Sequence, residues 1–138
     1  MGARGPALII LDSSYAMALV MPDEARPASV ATVLSDELAA PFIWPLEIAS
    51  ALRMNIRRGR LTTDDSEALF KRIASLSVEV LGPPHALPQR HFDAAQEHEL
   101  TPYDATYITM AVQFSAALAT RDRALAAAAA RIGITTFS

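Results

Sequence analysis

The sequence contains no cysteine, so disulfides and thiolate metal sites are excluded, as suits a cytoplasmic protein. Glycine is scarce. The five glycines stand apart at positions 2, 5, 59, 82 and 133, and no glycine-rich loop exists to cradle a nucleotide phosphate. Lysine occurs once, at Lys71, which leaves none beside the acids discussed below to act as a nucleophile. No apolar run reaches the roughly 18 residues needed to cross a bilayer. Residues 105–120 are uncharged, but their threonines, glutamine and serine are poor lipid-facing chemistry. The N-terminal MGARGPALIIL imitates a signal peptide until Asp12 ends its apolar part, too soon for an h-region. The three histidines, His85, His91 and His98, share one segment without a cysteine or a His-x-x-x-His pair, and Pro88 interrupts any helix joining them. Zinc is disfavoured.

What is present is a chain of 138 residues, 51% of them hydrophobic, enough to fill the core of one domain spanning 1–138. A net charge of −3 speaks against a nucleic-acid partner, but the distribution does not. Four acids at critical places account for more than the whole excess; without them the chain stands at +1. Arg53, Arg57, Arg58, Arg60, Lys71 and Arg72 fall within twenty positions. That cluster reads either as a solvated helix face or as a patch that contacts phosphates, and composition does not choose.

ALIIL (7–11) is short, apolar and branched, which predicts a strand. A helix over 14–21, capped by Ser13 or Ser14, stops near Pro22. PASVATVLSDELAA (27–40) has helical periodicity behind an initial proline, and PFIW (41–44) reads as the second strand, closed by Pro45. Helices follow over 46–58, stopped by Gly59, and over 64–76, capped by Thr62 or Thr63. SVEVL (77–81), ended by Gly82-Pro83-Pro84, is the third strand. Helices are predicted over 88–98 and, capped by Thr101 with Pro102 at the first position, over 101–116. ALAT (117–120), a helix over 121–133 and ITTF (134–137) complete the chain. Short strands alternating with longer helices predict an α/β fold, a parallel sheet with helices on both faces. Such sheets bind ligands at the carboxyl ends of their strands.

That edge is lined with acids. Asp12 ends strand one; Glu47 follows strand two; Asp122 follows strand four; Asp104 lies in the first turn of its helix. Each has a plainer reading. Asp104 resembles the partner in a capping box with Thr101, and Glu47 and Asp122 taken singly are ordinary acids of a first helical turn. Asp104, however, lies in the middle of an apolar arc, with Tyr103, Tyr107, Met110, Ala111 and Phe114 on one side and Ile108 and Val112 on the other. Thr106, Thr109 and Gln113 hold the opposite face. Asp12, after five apolar residues, needs a partner. Glu47 shares a helix side with Ala51, Met54 and Arg58, the last about 16 Å away.

Two carboxylates about 5 Å apart repel by roughly 3 kcal/mol at an effective dielectric of 20. Four together take up protons or call for cations, and Mg²⁺ is the hard, oxygen-seeking choice. A carboxylate-held Mg²⁺ beside arginines suits phosphodiester hydrolysis, with a metal-bound water as nucleophile and Arg53, Arg57, Arg58 and Arg60 as candidates to hold the flanking phosphates.

In order and spacing, IILDSSYAMA, WPLEIASAL, LTPYDATYITMA and LATRDRAL resemble the acidic motifs of PIN-domain ribonucleases, above all the VapC-like toxins of toxin–antitoxin pairs. The resemblance covers essentially the whole chain. It implies a three-layer α/β/α domain with a five-stranded parallel sheet and Mg²⁺- or Mn²⁺-dependent endoribonuclease activity. Asp12, Glu47, Asp104 and Asp122 match the acidic positions, with Asp12 and Asp104 as principal metal ligands. Asp122 ligates directly or through water, and Glu47 ligates or orients the attacking water. Ser14 and Thr120 match hydroxyl positions that support the acids. Ser50 stands where many relatives carry asparagine, which leaves Glu47 a supporting hydroxyl of shorter reach. The resemblance also implies a homodimer, inhibited by a small antitoxin whose C-terminal segment crosses the groove. Alternatives are a PIN nuclease of RNA processing outside any toxin pair, and a catalytically silent interaction module, against which four intact acids argue. An aspartyl phosphoryl acceptor is a further alternative that lacks its lysine.

Overall fold

The computed structural model describes residues 7–82 and 87–138. The N-terminal MGARGP, the Pro83-Pro84 stop and His85 lie outside the described residues. Strand β1 (Leu8–Leu11) is followed by helices α1 (Ser13–Val20) and α2 (Val30–Leu34) and by β2 (Glu37–Ala40). Helices α3 (Trp44–Arg57) and α4 (Thr63–Ser75) lead to β3 (Glu79–Val80). Next come α5 (Pro88–His98), α6 (Pro102–Gln113), β4 (Ala117–Ala119), α7 (Arg123–Arg131) and β5 (Thr136–Phe137). The five strands form one all-parallel sheet in the order β3-β2-β1-β4-β5. Helix α1 packs against α3 and α4, and α6 against α5 and α7; with the usual right-handed crossovers this places α1–α4 on one face and α5–α7 on the other, the expected three-layer α/β/α arrangement. Both faces being covered, the inner strands are apolar apart from Glu37 at the exposed start of β2; Ile10, Leu11 and Leu118 are fully buried.

The second strand is not the one expected. The helix predicted over 27–40 is only the five residues of α2, and Glu37–Ala40 is a strand in register with β1 (Ile9 opposite Leu38, Ile10 opposite Ala39). Alanine favours helix, but between β1 and β3 the segment gains ladders on both sides, and its small side chains let helices close over both faces. PFIW is no strand. Pro41 has no N–H for a ladder, its carbonyl accepts Trp44 N–H at 2.9 Å, and α3 starts there. Pro45 sits in the first helical turn, where its missing N–H is no loss.

Three smaller differences concern helix ends and faces. Helix α1 is capped through the backbone of Asp12, whose carbonyl accepts Tyr15 and Ala16 N–H; Ser13 and Ser14 lie inside the first turn. Pro88 opens α5 rather than interrupting it, so His91 and His98 share that helix. On α6 the buried side is Ala105, Tyr107, Ile108 and Ala111, whereas Tyr103, Val112 and Phe114 face outward. Thr62 caps α4 with a complete capping box to Asp65.

Candidate functional site

The strand order reverses between β1 and β4, which opens a crevice at their carboxyl ends. Asp12 is the first residue after β1 and Thr120 the first after β4. The two segments are laced together where Asp12 N–H donates to the Ala119 carbonyl at 2.9 Å.

Asp12 is only 5% exposed, and one oxygen of its carboxylate is held by two short hydrogen bonds. Ser14 Oγ donates to Oδ2 at 2.6 Å and Thr120 Oγ1 donates to the same oxygen at 2.7 Å. Each hydroxyl also accepts a backbone N–H, Ser14 from Arg121 at 2.9 Å and Thr120 from Asp122 at 3.0 Å. A hydroxyl has one proton, and both are used on Oδ2. The 3.4 Å approach of Ser14 Oγ to Thr120 Oγ1 is therefore an oxygen–oxygen contact rather than a bond. Oδ1 is left with a long 3.5 Å contact from Ser13 Oγ and is the open oxygen of the group. A carboxylate at the end of an apolar strand thus has its partners among the described residues, all of them hydroxyls.

Glu47 lies in the first turn of α3 and is partly buried. Its Oε1 accepts the Tyr107 hydroxyl of α6 at 2.5 Å. Burial raises its pKa above the ordinary carboxylate value, the Tyr107 bond pulls it down, the charges of Asp12 and Asp104 push it up, and the Ser13 hydroxyl pulls it down. Asp104 is partly buried in the first turn of α6. Its N–H donates to the Thr101 cap at 3.1 Å, which is the Thr half of the capping box that the plainer reading expected. Its pKa also rises, by burial first and then by the charges of Asp122 and Asp12. Asp122 caps α7, with Oδ1 accepting Leu125 N–H at 3.0 Å. The helix-cap reading and the cluster reading of Asp122 hold together, since capping occupies Oδ1 and leaves Oδ2. Asp12 is coupled to Glu47 and Asp104, and Asp104 to Asp122; among the described residues none of the four is in an ion pair.

The raised values have a consequence for stability. The folded chain keeps protons on Glu47 and Asp104 to higher pH than the unfolded chain does. Their contribution favours folding below the ordinary carboxylate range and is lost as pH rises through the raised values. Because Asp104 is only partly buried, solvent screening keeps the effect modest. Asp104→Asn is expected to raise Tm by about 3 °C at neutral pH in the absence of divalent cations, with the gain vanishing near pH ~4. Melting curves at the two pH values test this, and a gain independent of pH would remove charge repulsion as its cause.

Among the described residues no three histidines, aspartates or glutamates form a preformed metal cage, so the expected Asp12, Asp104 and Asp122 ligand set is not assembled as three converging acids. Ser50 is exposed, and its hydroxyl makes no hydrogen bond among the described residues. Arg53, Arg57 and Arg58 are exposed on α3 and at its end, while Arg60 turns away to bind Asp23 and Glu24 and to donate to Asn55. A cavity of about 790 Å³ lies at the opposite edge of the sheet, around Leu8, Arg26, Glu37 and Glu79, and touches none of the four acids. Two site residues escaped the sequence reading, Tyr107 and Ser13. Tyr107 counted as part of an apolar arc, although a phenol on a buried helix face needs a hydrogen-bond partner. That need was the available signal.

The PIN domain family matches residues 9–131. Ribonuclease VapC3 of Pyrobaculum aerophilum is 32% identical over 127 residues, covering 86% of this chain and 92% of its own. Ribonuclease VapC9 of Mycobacterium tuberculosis is 32% identical over 119 residues, 83% of this chain and 86% of its own. The crystal structure of PAE2754 from Pyrobaculum aerophilum superposes with a TM-score of 0.71 at 26% identity, covering 94% of this chain and 83% of that one. With acids placed at the switch point of a β3-β2-β1-β4-β5 sheet and a match across nearly its whole length, the chain belongs to the PIN-domain family, as a VapC-like member.

Proposed function

We propose that the chain is a Mg²⁺-dependent endoribonuclease, the toxin of a toxin–antitoxin pair, which hydrolyses RNA phosphodiester bonds. The observation that carries this reading is electrostatic. Four segments bring carboxylates to the ligand-binding edge; although no three converge as a preformed cage, the charges of Asp12 and Asp104 act on Glu47 and those of Asp122 and Asp12 on Asp104, with no ion pair among the described residues to relieve them. The names of the relatives, ribonucleases both, support RNA as the substrate.

The donor set fits a hard divalent cation. Every group is a carboxylate or hydroxyl oxygen, and Asp12 Oδ1 is open. Asp12, Asp104 and Asp122 would hold Mg²⁺ or Mn²⁺ with waters completing the shell, since Mg²⁺ ordinarily takes one or two carboxylates and keeps several waters. When bound, the metal supplies a water of lowered pKa and neutralises charge developing on the phosphate. The protein does the rest. Ser14 and Thr120 fix the direction of Asp12, Glu47 orients the attacking water and accepts its proton, and Ser50 stays at the solvent side of Glu47. Arg53, Arg57 and Arg58 hold flanking phosphates as a sequence-independent attraction. Arg60, already neutralised by Asp23 and Glu24, contributes least. In this reading the nuclease works in the cytoplasm as a homodimer, restrained by its cognate antitoxin protein. Among the described residues no helix is long and apolar enough to cross a membrane.

Calorimetric Mg²⁺ titration and an RNA-cleavage assay on the same samples, wild type against Asp104→Asn, test the proposal. Metal binding and cleavage are expected to be lost together in the variant. A wild type that binds no Mg²⁺ and cleaves no RNA would overturn it in favour of an interaction module.

A further inference from the structure

Tyr107 is fully buried, yet its hydroxyl does not bond within its own helix. It reaches from α6 to α3 and donates to Glu47, sixty positions away, at 2.5 Å. A buried phenol needs an acceptor, and a backbone carbonyl would satisfy it. Here the acceptor is instead a partly solvated acid with three free torsions, which without a partner would sample many rotamers. The bond also selects between the two carboxylate oxygens: Oε1 takes the Tyr107 proton and Oε2 is left.

We infer that Tyr107 is a positioning residue of this site, holding Glu47 through Oε1 so that Oε2 is the oxygen presented to the attacking water. The inference rests on the nuclease reading above and adds a residue to it. Ser13, whose hydroxyl contacts Asp12 Oδ1 at 3.5 Å, has the smallest influence of the groups acting on Glu47. Rigid placement of a group that acts on the attacking water is worth large factors in rate, and a displacement of about 1 Å costs about 100-fold.

Tyr107→Phe keeps the ring and its burial and removes only the hydroxyl. With Mg²⁺ and a single-stranded RNA, kcat is expected to fall about 30- to 100-fold with KM unchanged. Calorimetric Mg²⁺ affinity is expected to stay at the wild-type value. In a Glu47→Gln background the same substitution should cost nothing further in kcat, because the oxygen it positions no longer accepts a proton. Wild-type kcat in Tyr107→Phe overturns the inference. So does an equal further loss in the Glu47→Gln background, or a collapse of the fold in Tyr107→Phe, either of which makes the hydroxyl a structural prop. If wild type neither binds Mg²⁺ nor cleaves, the nuclease reading itself has failed, an outcome distinguished by the wild-type controls alone.

Discussion

Asp12→Asn will slow RNA cleavage by about three orders of magnitude, ~4 kcal/mol of transition-state stabilisation, while the folded chain stays at least as stable as the wild type. The two halves of this expectation come from the two oxygens of Asp12. Oδ2 accepts the Ser14 and Thr120 hydroxyls, and the carbonyl oxygen of asparagine can accept both in the same orientation. The amide then replaces Oδ1, the open oxygen, with a donor that repels a cation. Loss of the negative charge also relieves repulsion with Glu47 and Asp104. Single-turnover cleavage and thermal melting on one preparation separate the effects. An unfolded variant would mean that the charge of Asp12 is structural, and a fully active one would remove it from the site.

The second large effect is on stability. Thr120→Val keeps the shape of a fully buried side chain and deletes a hydroxyl that, like Ser14 Oγ, links the ends of β1 and β4 by donating to Asp12 and accepting a backbone N–H. The Asp12 carboxylate loses one of its two close donors, and the Asp122 N–H loses its acceptor in a site that water reaches poorly. Leaving such groups unsatisfied costs about 2–3 kcal/mol, or on the order of 8 °C in Tm for a domain of this size. Cleavage should fall as well, since Asp12 gains freedom to turn. Thr120→Ser restores the hydroxyl and should recover all but about 1 kcal/mol of the stability. Denaturant titration of the three proteins checks the order, and a valine variant as stable as the threonine would show that the hydrogen-bond circuit contributes little.

Much of the site was legible because short-range chemistry marks it. An acid after five apolar residues, Thr101 followed by Pro102, and Asp122 before a run of alanines are local patterns. Each lies at the helix or strand end that the pattern implies. The second strand was not legible. Glu37–Ala40 carries helix-favouring residues, and it is a strand only because β1 and β3 present ladders on both sides. Glu47 nevertheless follows β2 closely in either assignment, so the error moved the strand and spared the acid.

The sequence by itself determined the class of fold, the ends of most helices and the identity of four acids at one edge. Hydrophobic periodicity and capping act over a few residues and need no distant partner. Tertiary structure alone decided what those acids touch. Thr120 meets Asp12 across 108 positions and Tyr107 meets Glu47 across 60. Such pairings follow from strand order and helix packing, which bring together side chains that no local pattern relates. The same packing sets the burial and mutual repulsion that raise the pKa of Glu47 and Asp104, because desolvation and Coulomb energy depend on the fold around a carboxylate and not on its neighbours in the chain.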